Sequence, residues 1–238
     1  MNKEYDDLPY EIVSNELTYD LTFKIIIIGD SGVGKTCLSL RATKNYFESN
    51  YNTTIGFEFS TFCCKIKEKI IKLQIWDTCG QEVYRSLIVS FYRNSSLAIL
   101  MYSIDNFESF QHINNWLNDI RDKSNPNIKK FLIGNKNDLE NERKIKTEEA
   151  EKFSKNLNFD FFMECSAKTG INVSNIFIRA SKLLYIETAK YINNNSNRYT
   201  FYSISDSNDD NEMMKNSVNK SLINKKDKEN NGKKSCCS

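Results

Sequence analysis

Short, nearly continuous apolar runs recur along the chain, separated by stretches with helical periodicity. The first is FKIIII from Phe23, followed by a Gly-containing loop and a helix-like segment. Others fall at Lys72–Trp76, Leu97–Tyr102, Lys130–Ile133 and Phe161–Met163. Amphipathic segments lie at Ser109–Lys123, Thr147–Leu157 and Val173–Tyr191. Continuous apolar strands alternating with helices predict a buried, mainly parallel sheet with helices on both faces. Phe57–Ile66 and Ile70–Trp76, joined by a short polar turn, predict a hairpin instead.

Outside this alternating body the pattern is lost. Residues 1–22 form an acidic extension: six acids and one Lys occupy its first 20 positions, without periodicity. From 192 to 238, Asn and Ser make up 19 of 47 residues, which predicts a disordered tail. The folded unit is therefore expected over 23–191. Across the chain, 33 basic residues balance 31 acidic ones, too even a total to suggest a nucleic-acid partner. The balance is uneven in space, because Lys220–Lys234 carries six Lys against two acids. No apolar run approaches the ~18 residues of a membrane span. The start has no basic segment followed by an apolar one, so no signal peptide is expected. Seven Cys without metal or redox spacing point to a reducing cytosolic compartment, with the interior ones as small core fillers.

The chain has only eight Gly, and three of them sit in GDSGVGKT, Gly29 to Thr36, directly after the first strand. This is a phosphate-binding loop in its required strand–loop–helix setting. Gly29, Gly32 and Gly34 allow successive backbone N–H groups to turn inward on phosphate oxygens, and the helix N-terminus adds partial positive charge. Lys35 reaches the β- and γ-phosphates, and the Thr36 hydroxyl binds Mg²⁺. Asp30, Ser31, Gly32, Val33, Gly34, Lys35, Thr36 and Cys37 are the expected nucleotide contacts of this loop.

NKND at Asn135–Asp138 follows an apolar strand, and its Asp can pair with the guanine N1–H and 2-amino group, which adenine lacks. A second N-K-x-D at Asn224–Asp227 has no strand before it and is set aside. SAK at Ser166–Lys168 occupies the same sheet edge one strand later, where ligands bind in open α/β sheets. DTCG at Asp77–Gly80 ends another strand: Asp77 can hold Mg²⁺ through water, and Gly80 can give its N–H to the γ-phosphate. Thr54, in TTIGFEF, is the candidate that closes over the metal.

Taken together, GDSGVGKT, TTIGFEF, IKLQIWDTCGQE, GNKND and ECSAK in this order resemble the Ras superfamily of small GTPases. Within it the chain resembles the Rab family, nearest its ER–Golgi members. The resemblance implies an α/β P-loop G-domain with a six-stranded, mostly parallel sheet, one antiparallel strand and five flanking helices. It implies a GTP/GDP switch with Mg²⁺, in which Gln81 orients the attacking water and Lys35 and Thr54 complete the catalytic set. Phe47 would lie against the guanine face, Asn135, Lys136 and Asp138 would hold the base, and Ser166, Ala167 and Lys168 would support it. Ile55, Gly56, Phe59, Trp76 and Phe91 would form the effector surface.

The same resemblance extends to the end of the chain. SCCS lacks the Cys of a C-a-a-X box but resembles the Rab pattern of double geranylgeranylation, here at Cys236 and Cys237. Two lipid chains with a basic stretch anchor stably, where one holds marginally. The implied setting is the cytosolic face of an endomembrane, with vesicle-traffic effectors, an exchange factor, a GTPase-activating protein and a GDP-dissociation inhibitor or escort protein as partners. Cys79, where the family usually has Ala, and Val83-Tyr84, for the usual Arg-Phe, depart from the pattern beside Gln81. They admit an alternative reading, a guanine-nucleotide-binding module with very weak hydrolysis. The lone His112 falls on a helix face with no expected catalytic role. A P-loop kinase or ATPase is the remaining rival, opposed by NKND and SAK.

Overall fold

The protein is described from a computed structural model, covering residues 7–13, 18–48, 57–79 and 92–196, with side chains of the last helix described through 192. Seven strands form one sheet in the order β1-β3-β4-β2-β5-β6-β7. They are β1 Tyr10–Val13, β2 Leu21–Gly29, β3 Phe57–Ile66, β4 Lys69–Thr78, β5 Leu97–Ser103, β6 Lys129–Asn135 and β7 Phe161–Glu164. The β3–β4 pair is the antiparallel hairpin, turning at Lys67 in the left-handed region (φ 54°). From β4 through β2, β5 and β6 to β7 every pairing is parallel.

The α-helices among the described residues are α1 Lys35–Lys44, α2 Phe107–Gln111, α3 Ile113–Lys123, α4 Thr147–Asn156 and α5 Val173–Ser196, with a 3₁₀ turn at Glu140–Glu142. The periodic stretch expected as one helix over 109–123 starts earlier and is broken at His112. Asn106 supplies the start, its side chain accepting the Ser109 N–H at 3.1 Å. The last helix runs past the expected end at Tyr191 to Ser196.

Alternation along β2 builds two cores. Ile25 and Ile27 face a cluster with Leu38 of α1 and Ile176, Phe177 and Leu184 of α5. Ile26 and Ile28 face the other, with Trp116, Leu117 and Ile120 of α3. All four isoleucines are fully buried, which is why this strand reads as an unbroken apolar run rather than an alternating one.

The seventh strand comes from the acidic lead-in, whose sequence pattern predicts no element. β1 runs antiparallel to β3, placing Ile12 opposite Cys64 and Val13 opposite Cys63. Pro9 takes the Lys67 N–H, Leu8 packs on the first core, and Lys182 of α5 lies 4.7 Å over the Tyr10 ring. Further on, Asp20 pairs with Lys69 at 2.6 Å and accepts the Ile70 N–H. The lead-in is thus fastened along the β3–β4 hairpin at several points.

Candidate functional site

Because β2, β4, β6 and β7 run in the same direction, the loops after them meet at one edge of the sheet. The loop after β2 is the expected phosphate cradle. Gly32 and Gly34 both have left-handed φ (79° and 95°), a conformation costly to any residue with a Cβ. Gly34 also leaves room for a neighbour: a Cβ there would lie 2.3 Å from Asn135 Nδ2. Helix α1 begins at Lys35, immediately after the loop, and has no acidic residue in its first turn, so its N-terminal field is left for an anion.

Lys35 and Thr36 are both buried. The Lys35 ammonium donates to the carbonyls of Gly29 (2.9 Å) and Asp30 (2.7 Å). Burial lowers its pKa to about 8, against the pull of the nearby Asp77 and Asp30 carboxylates. Thr36 donates its hydroxyl to Asp77 Oδ2. Asp77, at the end of β4, is fully buried, and burial raises its pKa to about 6 in spite of the Thr36 hydrogen bond and the Lys35 charge. Its other oxygen, Oδ1, has no hydrogen-bond partner among the described residues.

An orphaned buried carboxylate oxygen beside a threonine hydroxyl suits a hard divalent cation, so these two residues fit Mg²⁺. Thr36 and Asp77 would hold it, and when bound it would neutralise phosphate charge. The chain's own contribution is to keep both oxygens in one dry corner, with the Thr78 hydroxyl tying the end of β4 to the Ile27 carbonyl of β2 at 2.8 Å.

The base side of the site is assembled around Asn135, at the end of β6. Its Nδ2 donates to the Val33 carbonyl at 2.8 Å, and its Oδ1 accepts the Ala167 N–H at 3.0 Å. Asn135 thus braces the phosphate loop to the SAK loop. Asp138 accepts the Ser166 hydroxyl through Oδ1, while its Oδ2 lies 3.9 Å from Lys168 Nζ. Lys136 takes a left-handed φ of 66°, with its ammonium 3.7 Å from Asp105. Cys37 is half-buried on α1 with its thiol pKa raised by burial.

Two sets of links were not visible in the sequence, those of Arg41 and those that His112 and Trp116 make to Asp30. Arg41 of α1 donates from Nε to the Ala167 carbonyl (2.9 Å) and from a terminal nitrogen to the Lys168 carbonyl (2.7 Å), and lies 5.9 Å over the Phe47 ring. Asp30, in the phosphate loop, accepts from the Trp116 indole at 2.8 Å and bonds His112 Nδ1 at 2.6 Å. Nothing in the local pattern around Arg41 or His112 marks these hydrogen bonds, since each joins residues more than 80 positions apart. Thr54, Ile55, Gly56, Gly80, Gln81, Phe91 and the Val83-Tyr84 pair lie outside the described residues, as do Cys236 and Cys237. Cys79 is described and buried in the second core.

The structure therefore gathers Lys35, Thr36, Asp77, Asn135, Asp138 and Ser166–Lys168 at one edge, in the arrangement a P-loop nucleotide site requires. Residues 24–186 match the model of the Ras family. The match spans well over half of the chain and includes each of these positions, so the chain belongs to the Ras family of small GTPases, proteins that bind guanine nucleotides, typically with Mg²⁺, and interact with exchange factors, GTPase-activating proteins and effectors.

Proposed function

We propose that the protein is a Rab-type switch that hydrolyses GTP slowly until an activating protein acts, and that recruits effectors to a membrane in vesicle traffic. The observation that carries this reading is an exposed aromatic cluster next to the metal corner. Phe57 and Phe59 are 47% and 51% exposed, and their rings stand 5.3 and 5.4 Å from Trp76. Large aromatic groups left in water at the end of a sheet mark a recognition surface. Lys24 lies 4.9 Å over the Trp76 ring, a cation–π contact on the same cluster.

Register couples this surface to the nucleotide. In the β3–β4 ladder Phe59 stands opposite Trp76, and Glu58 opposite Asp77. A partner reading Phe59 and Trp76 is thus one residue from the carboxylate that would hold the metal. Contacts from Thr54 and Gly80 to a γ-phosphate would order the flanking loops, and hydrolysis would release them. Gln81 would orient the water. Catalysis of this kind is mostly positioning and charge stabilisation.

Single-turnover GTP hydrolysis by the protein and by Gln81→Leu tests the enzymatic part. Slow hydrolysis that drops further in the variant is expected. Equal rates in the two would instead leave a guanine-nucleotide-binding module with very weak hydrolysis, the alternative to which Cys79, two positions before Gln81 in the sequence, points. The membrane part rests on Cys236 and Cys237 as geranylgeranylation sites and on the basic stretch before them. A tagged full-length protein should sit on an endomembrane and a Cys236/Cys237→Ser variant should become diffuse; unchanged membrane association in that variant refutes the lipid anchor.

A further inference from the structure

Asp30 sets a carboxylate in a cradle for phosphates. An ionised carboxylate one position after Gly29 would repel the anion that the loop's N–H groups are turned to receive. Both of its oxygens are instead taken by donors from the α2–α3 region: Oδ1 by the Trp116 indole N–H at 2.8 Å and Oδ2 by His112 Nδ1 at 2.6 Å. The same residue's backbone carbonyl accepts the Lys35 ammonium at 2.7 Å. One end of Asp30 is thus fixed to a neighbouring helix while the other seats the lysine of the loop.

We infer that His112 is a positioning residue for nucleotide retention: with Trp116 it clamps the Asp30 carboxylate against the start of α3 and thereby fixes the carbonyl that seats Lys35. This rests on the guanine-nucleotide reading of the site. A carboxylate only accepts hydrogen bonds, so the imidazole proton must be on Nδ1, whether the ring is neutral or charged. Hydrogen bonds to an ionised acceptor are the stronger class, and this pair is short.

The position of His112 explains why the bond is possible. His112 marks the break between α2 and α3, where its N–H reaches the Glu108 carbonyl at 3.0 Å and its own carbonyl takes the N–H groups of Asn115 and Trp116 at 2.9 and 3.1 Å. The break places Trp116 one helical turn further along the same face. The ring is one-third exposed, so a change of side chain there does not open the core.

The test separates the bond from the bulk of the residue. Asn carries Nδ2 on Cγ, where His carries Nδ1, so His112→Asn keeps a donor near the Asp30 oxygen; His112→Leu keeps apolar volume and removes it. Full-length proteins are loaded with a fluorescent GDP analogue in Mg²⁺, and release is followed after adding excess GDP. Expected is release on the order of tenfold faster for His112→Leu, and within about twofold of the unchanged protein for His112→Asn. Trp116→Phe should also release faster, with melting temperatures recorded alongside to exclude unfolding. Release from His112→Leu no faster than from the unchanged protein, or equal acceleration by Asn and Leu, overturns the inference. Failure of the unchanged protein to load any guanine nucleotide overturns the underlying reading and the inference with it, a different outcome from loaded protein that ignores His112.

Discussion

Replacing Asp77 by Asn should stabilise the protein when nucleotide and metal are absent and destabilise it when they are present. Asp77 is fully buried, and its carboxyl is raised from 3.8 to about 6 because burial outweighs the Thr36 hydrogen bond and the Lys35 charge. A raised carboxyl contributes stability that is full below the unfolded value and lost as pH rises through the folded one. Keeping this carboxylate ionised in the folded protein costs about 3 kcal/mol at pH 7.5, but only about 0.5 kcal/mol at pH 4. Asn has nearly the same shape, keeps an oxygen for the Thr36 hydroxyl and carries no charge. In EDTA, without nucleotide, Asp77→Asn should therefore melt higher than the parent at pH 7.5, by roughly 6–12 °C for a domain of this size. At pH 4 the gap should nearly close. With GDP and Mg²⁺ the order should invert, since a metal needs the ionised oxygen. Thermal melting in four conditions, two pH values with and without ligand, measures all of this. A variant no more stable than the parent in EDTA at pH 7.5, or a gap that does not change with pH, refutes the reasoning.

Two further outcomes follow from the bracing contacts. Asn135→Ala leaves the Val33 carbonyl and the Ala167 N–H without their partner in a buried setting; it should lower stability by at least about 2 kcal/mol and speed nucleotide release, and an unchanged melting temperature would dismiss the brace. Removing residues 1–13 strips β1 from the edge of β3, so Cys63 and Cys64 should react with a thiol reagent many-fold faster in the folded protein; Cys64, whose thiol burial raises to about 11, is the more sensitive reporter, and equal reactivity would show that β1 does not cover them.

The parts of the fold that the sequence announces are those whose signal is local. FKIIII followed by GDSGVGKT needs no distant residue to be read, because apolar continuity and glycine placement are both contained in 14 positions. The β3–β4 hairpin and the parallel strands at 97, 130 and 161 are legible for the same reason. β1 is not: YEIV is four residues long, three of them exposed, and its strand conformation comes from the edge of β3 rather than from its own composition. Asn135 was legible as a site residue but not as a brace, since its partners Val33 and Ala167 come from two other loops. The break at His112 is masked by a periodicity that continues across it, and the Asp30 clamp depends on a helix more than 80 residues away.

These long-range links share one property: they tie the loops of the site to one another and to helices outside it. Asn135 joins the phosphate loop to the SAK loop, Arg41 joins that loop to α1, and the α2–α3 region holds Asp30. The base and phosphate sides are therefore mechanically continuous, whereas the charges at their centre are not settled without ligand. Lys35 is lowered to about 8 and Asp77 raised to about 6, each moved toward neutrality by the same burial. A phosphate would restore the lysine charge, taking up a proton above pH 8, and a divalent cation would restore the carboxylate charge, releasing one below pH 6. Between these limits both groups are already ionised, and the site can fill with little net proton exchange. In that window the two buried charges carry a desolvation cost that a phosphate and a divalent cation would relieve, a physical reason for binding at this site to be favourable.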